Sequence, residues 1–188
     1  MKVTPLAIPE VLLIEPSRFG DARGFFSEVW KKSALSAAGL AVEFVQDNHS
    51  FSRDVGVLRG LHFQRPPHAQ GKLVRVVRGR ILDVVVDIRE GSPTYGQHVT
   101  AEISAANWRQ IWVPRGFAHG LITLEPDTEV LYKVDGEYNA EADGGIAWND
   151  PALGIEWPLP VESPTLSAKD ANAPRLAEAG VIFPRGSW

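Results

Sequence analysis

Residues 58–72 read LRGLHFQRPPHAQGK and gather Arg59, His62, Arg65, His68 and Lys72 into what otherwise looks like a strand and its turn. Two imidazoles this close can hold a metal ion, or one of them can move a proton. If 58–64 is a strand, Leu58, Gly60, His62 and Gln64 share one face, and Arg59, Leu61 and Phe63 the other. An inward His62 is then either a core histidine satisfied by one hydrogen bond or a working group. Other strand-like runs carry polar interruptions too: Lys72 before LVRVV, Asp83 in ILDVVVDI and Tyr132 in EVLYKV. Desolvating an ion costs several kcal/mol unless it is paired. Charges in several apolar runs therefore point to a shared site.

A second marker is PRGFAHG at 114–120, which resembles the second signature of the cupin β-barrels. Metal-binding cupins complete that histidine with an HxH pair and a later glutamate. Here the second histidine position is Gln64, and Gly71-Lys72 stands where the glutamate would be. An amide and an ammonium make a poor Zn²⁺ or Fe²⁺ site. No metal is expected, and proton transfer becomes the stronger reading of His62.

The elements that must position these groups are mostly strands. Apolar segments at 10–14, 25–30, 43–51, 72–78, 80–88, 98–103, 108–113, 118–124 and 129–134 are punctuated by 14 prolines and 17 glycines. Short strands separated by Gly/Pro/Asp turns predict a sandwich or barrel. Helix signals are confined to 31–39, with a glycine stop, and 174–180. From residue 149 the chain turns proline-rich and aperiodic, a segment expected to wrap over the barrel with Trp148 and Trp157 as anchors. The 188 residues are expected to form one domain. A net charge of −4 provides no field for nucleic acid, so any anion site is local. The absence of cysteine excludes thiolate chemistry. No apolar run approaches a membrane span, and MKVTPLAIPEVLLIEP has no signal-peptide core, so a soluble cytoplasmic protein is expected.

The motifs FGDARGFFSEVW, FVQDNHS, RGLHFQ, QGKLVRVVRG, DVVVDIR, SPTYG, PRGFAHG, LYK, GGIAWNDPALGIEWP and LSAKD follow one another from about residue 8 to about 174. In that order they closely resemble the dTDP-4-dehydrorhamnose 3,5-epimerases. The resemblance implies a mainly β, cupin-like jelly-roll barrel with a few short peripheral helices. It also implies a homodimer exchanging N-terminal strands, no cofactor, and a dTDP-linked 4-keto-6-deoxy sugar as substrate.

It further implies roles. His62 would be the base, Asp170 its partner, Tyr132 the opposing acid and Lys72 the cation that stabilises an enolate. Arg23, Glu28, Gln46, Asp47, Asn48, Arg59, His119, Asp143 and Lys169 would line the substrate site, with Phe19, Phe26 and Tyr138 as aromatic walls near the nucleotide. By residue type alone, Asp170 reads as a turn residue and Tyr132 as a core aromatic. The chemistry is coherent. Imidazole lies on the order of ten pKa units below a carbon acid, at about 1.4 kcal/mol per unit, so the developing oxyanion needs a cation. His68 reads as an exposed loop residue. The alternatives are a one-carbon epimerase on a related sugar, a metal-dependent cupin and a non-catalytic binder.

Overall fold

A computed structural model describes residues 1–159 and 163–188. Among them run thirteen strands: β1 (Lys2–Pro5), β2 (Leu12–Glu15), β3 (Arg18–Asp21), β4 (Gly24–Ser27), β5 (Gln46–Ser52), β6 (Leu58–Gln64), β7 (Lys72–Arg78), β8 (Arg80–Asp87), β9 (His98–Ser104), β10 (Gln110–Val113), β11 (Phe117–Thr123), β12 (Thr128–Val134) and β13 (Asp143–Gly145). Helices are short, α1 at Lys32–Ala37 and α2 at Ala168–Ala171, with a 3₁₀ turn at Leu176–Glu178 where the sequence suggested a helix.

Two antiparallel sheets face each other as a cupin-like jelly roll. One has six strands in the order β1-β2-β10-β7-β12-β5, and the other five in the order β13-β6-β11-β8-β9. Alternate residues of both sheets meet between them, including Val74, Val76, Ile81, Val85, Phe117 and Leu121. Each such side chain contributes about 1.5–3 kcal/mol on burial. The five-stranded sheet is covered on its outer face as well, which explains the unbroken run VVV in β8. Val84 and Val86 point outward onto Ile146, Leu153, Ile182 and Phe183 from the later chain. Trp157 packs there and donates from Nε1 to the Trp148 carbonyl at 2.8 Å. Residues 160–162 of this covering segment lie outside the described residues.

Helix α1 lays Leu35 on the outer face of the six-stranded sheet, against Leu73 and Trp112. It stops where Gly39 takes φ +89, with the Leu40 amide donating back to the Leu35 carbonyl at 2.9 Å. The strands β3 and β4 form a separate two-stranded hairpin.

One irregularity matters for the site. Along β6 and β11, His119 pairs with His62 but Leu121 pairs with Arg59, so β6 holds one extra residue between them. Gly60 takes φ +133 there, and a Cβ on it would lie 2.5 Å from the Gly120 Cα. The bulge reverses the side-chain alternation. Arg59 therefore opens onto the same cavity as His62, not the opposite face as simple alternation requires.

Candidate active site

His62 and His119 stand side by side on the inner wall of the five-stranded sheet, and Lys72 and Tyr132 approach from the six-stranded sheet. Helix α2 closes the space with Lys169 and Asp170. The resulting cavity of about 410 Å³ adjoins a second limb of about 380 Å³, and His62, Lys72, Tyr132 and Lys169 line both.

The His62 Nε2 lies 2.6 Å from the Asp170 Oδ1, and Asp170 is only 4% exposed. Asp170 holds its place because the Ser167 hydroxyl caps α2 and accepts from the Asp170 amide at 3.1 Å. Burial pulls the His62 pKa below the ordinary imidazole value, aided by the Lys72 and Lys169 charges and opposed by Asp170. His62 is thus neutral at neutral pH. With Nε2 engaged by the carboxylate, Nδ1 carries the free lone pair.

Burial also pushes the Lys72 ammonium down to about 8. Two carboxylates that support its charge, Asp143 and Asp83, are bound elsewhere. Asp143 Oδ2 accepts from Lys169 Nζ at 2.5 Å, and Asp83 Oδ2 lies 2.8 Å from His119 Nε2. The lysine charge is left for whatever enters the cavity. Burial and the Asp143 carboxylate raise the Tyr132 pKa against the lowering influence of Arg59, so the phenol keeps its proton. A neutral base, a protonated acid and a weakly solvated cation share one volume, the equipment for moving a proton beside a carbonyl.

The second limb holds Gln46, Asn48, Tyr138 and Asp143. Gln46 donates to Asn48 Oδ1 at 2.8 Å and accepts from the Tyr138 amide at 3.1 Å, while the Tyr138 hydroxyl donates to Asp143 at 3.2 Å. Arg59 donates to the Phe51 carbonyl at 3.0 Å and to Ser52 Oγ at 3.3 Å, which sets its guanidinium at the rim.

Other candidates lie apart. Asp47 points to the outer face of its sheet and pairs with Lys133 at 2.8 Å. Arg23 pairs with Asp21 at the hairpin, and Glu28 with Lys31 at 3.5 Å. Phe19 and Phe26 are 64% and 70% exposed on that hairpin, lining neither limb. His68 sits in an exposed loop beside Asn139. Gln64, at the cupin ligand position, is tied to the His68 and Glu137 carbonyls and the Asn139 amide. Among the described residues no group of three or more His, Asp or Glu side chains could hold a metal ion.

The residue sequence reasoning undervalued is Asp83. Its charge in an apolar strand was the signal, but its pairing with His119 depends on β8 and β11 lying side by side. Its second carboxylate oxygen, Oδ1, is buried without a partner. Ser167 is the other residue passed over, and SAKD carried its capping signal.

Fold and site together define a jelly-roll enzyme of the isomerase type. Comparison narrows this: the dTDP-4-dehydrorhamnose 3,5-epimerase family profile matches residues 5–178. A relative of that name from Salmonella typhimurium is 54% identical over 180 residues, spanning 95% of this chain and 97% of its own. The crystal structure of a dTDP-6-deoxy-D-glucose-3,5-epimerase from Legionella pneumophila, in complex with dTDP-4-keto-L-rhamnose, superposes with a TM-score of 0.92 at 44% identity, covering 97% of each chain. A 3'-monoepimerase from Streptomyces bikiniensis in complex with dTDP-quinovose superposes at 0.88 with 34% identity, covering 96% of this chain and 91% of its own. The chain belongs to the dTDP-4-dehydrorhamnose 3,5-epimerase family. No helix among its described residues is long and apolar enough to cross a membrane.

Proposed function

We propose that the chain converts dTDP-4-dehydro-6-deoxy-D-glucose to dTDP-4-dehydro-L-rhamnose by inverting carbons 3 and 5 in turn. Both carbons flank the C4 ketone, so one polarised carbonyl acidifies both. His62 Nδ1 takes the C–H proton, and the electron pair moves onto the ketone oxygen. Lys72, with His119 beside it, neutralises the oxygen as it becomes an enolate. Tyr132, facing His62 from the other sheet, returns a proton from the opposite side. Asp170 fixes the imidazole tautomer and stabilises the imidazolium between the two events. The observation that carries this reading is the 2.6 Å His62–Asp170 contact in the cavity that also receives the Lys72 charge.

The diphosphate and nucleotide extend from the reaction centre into the limb of Gln46, Asn48, Tyr138, Asp143 and Lys169, with Arg59 on the first limb beside the sugar. Arg23, Glu28, Phe19 and Phe26 complete the site from the other subunit of a homodimer. Their exposure on a hairpin remote from their own cavity supports this, as does an open groove of about 280 Å³ on the outer face of the six-stranded sheet. Nucleotide sugars are assembled in the cytoplasm, and the reaction is placed there.

Incubation with the keto sugar in D₂O, followed by NMR, tests the reading. Deuterium is expected at both carbons, and label at one carbon alone makes the protein a monoepimerase. A His62→Ala variant is expected to lose exchange while still binding dTDP. Exchange that survives it overturns the base assignment.

A further inference from the structure

Trp108 lines neither limb of the cavity, yet the chain is shaped to present it. It sits between β9 and β10 with φ 61, a left-handed conformation that bulky residues rarely adopt. The turn is held by Asn107, whose amide donates to Ser104 Oγ at 2.9 Å and whose Oδ1 accepts from the Ser104 and Arg109 amides.

The indole meets the β3–β4 hairpin. Its Nε1 donates to Ser27 Oγ at 3.0 Å, and that hydroxyl donates onward to the Ser17 carbonyl at 2.8 Å, where the chain enters the hairpin. The Phe25 ring stands edge-on to the indole, 4.8 Å between centroids at 81°. The Arg18 guanidinium covers both rings, at 4.1 Å from Phe25 and 4.9 Å from Trp108. Arg18, Phe25 and Ser27 share one face of the hairpin, because Arg18 pairs with Ser27 and strand side chains alternate. Phe19 and Phe26 pair directly with each other and occupy the opposite face. Fastening one face to Trp108 therefore fixes the direction in which the exposed ring pair projects.

We propose that Trp108 is a positioning residue that acts through Phe25 and Ser27 to aim the Phe19–Phe26 pair at the base of a nucleotide in the partner's cavity. The inference rests on the reading that this hairpin serves the other subunit. A two-residue ribbon tip without such an anchor would sweep a wide volume. Holding it prepays the ordering that nucleotide binding otherwise demands. The effect belongs to binding and leaves the proton-transfer groups untouched.

Trp108→Ala is expected to raise KM for the dTDP keto sugar about tenfold, the scale of one lost base–aromatic stack, with kcat held within about twofold. Trp108→Phe, which restores a ring against Phe25, should recover most of the loss. Mixed dimers locate the effect. Co-expression of Trp108→Ala with His62→Ala leaves one active cavity, in the Trp108→Ala chain, served by an intact hairpin. Its KM should return to the parent value. An unchanged KM in the Trp108→Ala homodimer, or a raised KM that persists in the mixed dimer, overturns the proposal.

The same pairing with Phe26→Ala tests the underlying reading separately. If Phe26→Ala is not rescued by a partner carrying an intact hairpin, the hairpin acts within its own chain and that reading fails. If Phe26→Ala is rescued while Trp108→Ala changes nothing, the reading stands and the role of Trp108 falls. Should Trp108→Ala not fold, Ser27→Ala removes only the hydroxyl that accepts from the indole and donates to the Ser17 carbonyl, and leaves both rings in place. It should raise KM about threefold in the homodimer and be rescued in the mixed dimer. An unchanged KM for that variant overturns the proposal equally.

Discussion

His62 and Tyr132 belong to different sheets, β6 and β12, and line the same cavity from opposite sides. In the proposed mechanism that placement lets one group remove a proton and the other deliver one to the far face of the same carbon. Replacing Tyr132 with Phe should separate the two halves. Deuterium exchange from the His62 side should persist, while inverted product falls about 10²–10⁴-fold. NMR of the reaction in D₂O reads both quantities at once. Parallel loss of exchange and inversion would remove Tyr132 from the acid role.

The pH profile of kcat/KM should be a bell with limbs set by His62 and Lys72. Activity falls in acid as His62 gains a proton, at a pKa below the usual imidazole range. It falls in alkali near 8, as Lys72 loses its charge. Asp170 raises the His62 pKa, so Asp170→Asn should move the acid limb to lower pH. A weaker base results, with kcat down about 10²-fold. An acid limb that stays fixed would contradict the pairing.

The buried Lys72 ammonium, proposed to stabilise the enolate, costs the fold stability. Its pKa drops from 10.5 to about 8, so the folded state disfavours the charged form, and the penalty is fully present below pH 8. Lys72→Met should therefore raise stability at pH 7 by about 1–3 kcal/mol while abolishing turnover. Calorimetry at pH 7 and pH 10 checks the sign, since the advantage must shrink as pH rises from 8 towards 10.5. A variant less stable than its parent at pH 7 would show that the ammonium is well paired in the fold.

The β6 bulge depends on Gly60. Gly60→Ala places a methyl 2.5 Å from the Gly120 Cα at a φ of +133 and should cost about 2–4 kcal/mol. Molecules that still fold should bind dTDP more weakly, because Arg59 leaves the cavity rim. Denaturant melts and nucleotide titration measure the two effects. A neutral substitution would mean the bulge tolerates a side chain.

The mainly β architecture was readable because alternation and turn residues are local signals, as in 72–78 and 80–88. Strand ends and the hairpin were less so. The run at 25–30 was read as one strand, but β4 stops at Ser27 and the chain then turns along the outer sheet face, where the Val29 carbonyl accepts from Gln110. The prediction of helix at 174–180 shortened to a single 3₁₀ turn, and α2 around Asp170 was not foreseen.

Residue types, with the motifs that frame them, determined the chemistry by themselves. A lysine in the carboxylate position is legible because a desolvated charge is too costly to occur by accident, and the same ammonium argues against a metal on His62, whereas Tyr132 and Asp170 stand out only through the motifs around them. Which of them meet was decided only by tertiary structure. Asp170 reaches His62 across 108 residues, and Asp83 reaches His119 through strand pairing. Arg59 joins the cavity through a bulge that breaks alternation, and Asp47 leaves it by keeping to alternation. Side-chain type is written at each position, but register across a sheet is settled by the energy of the whole barrel, which no single stretch of chain contains.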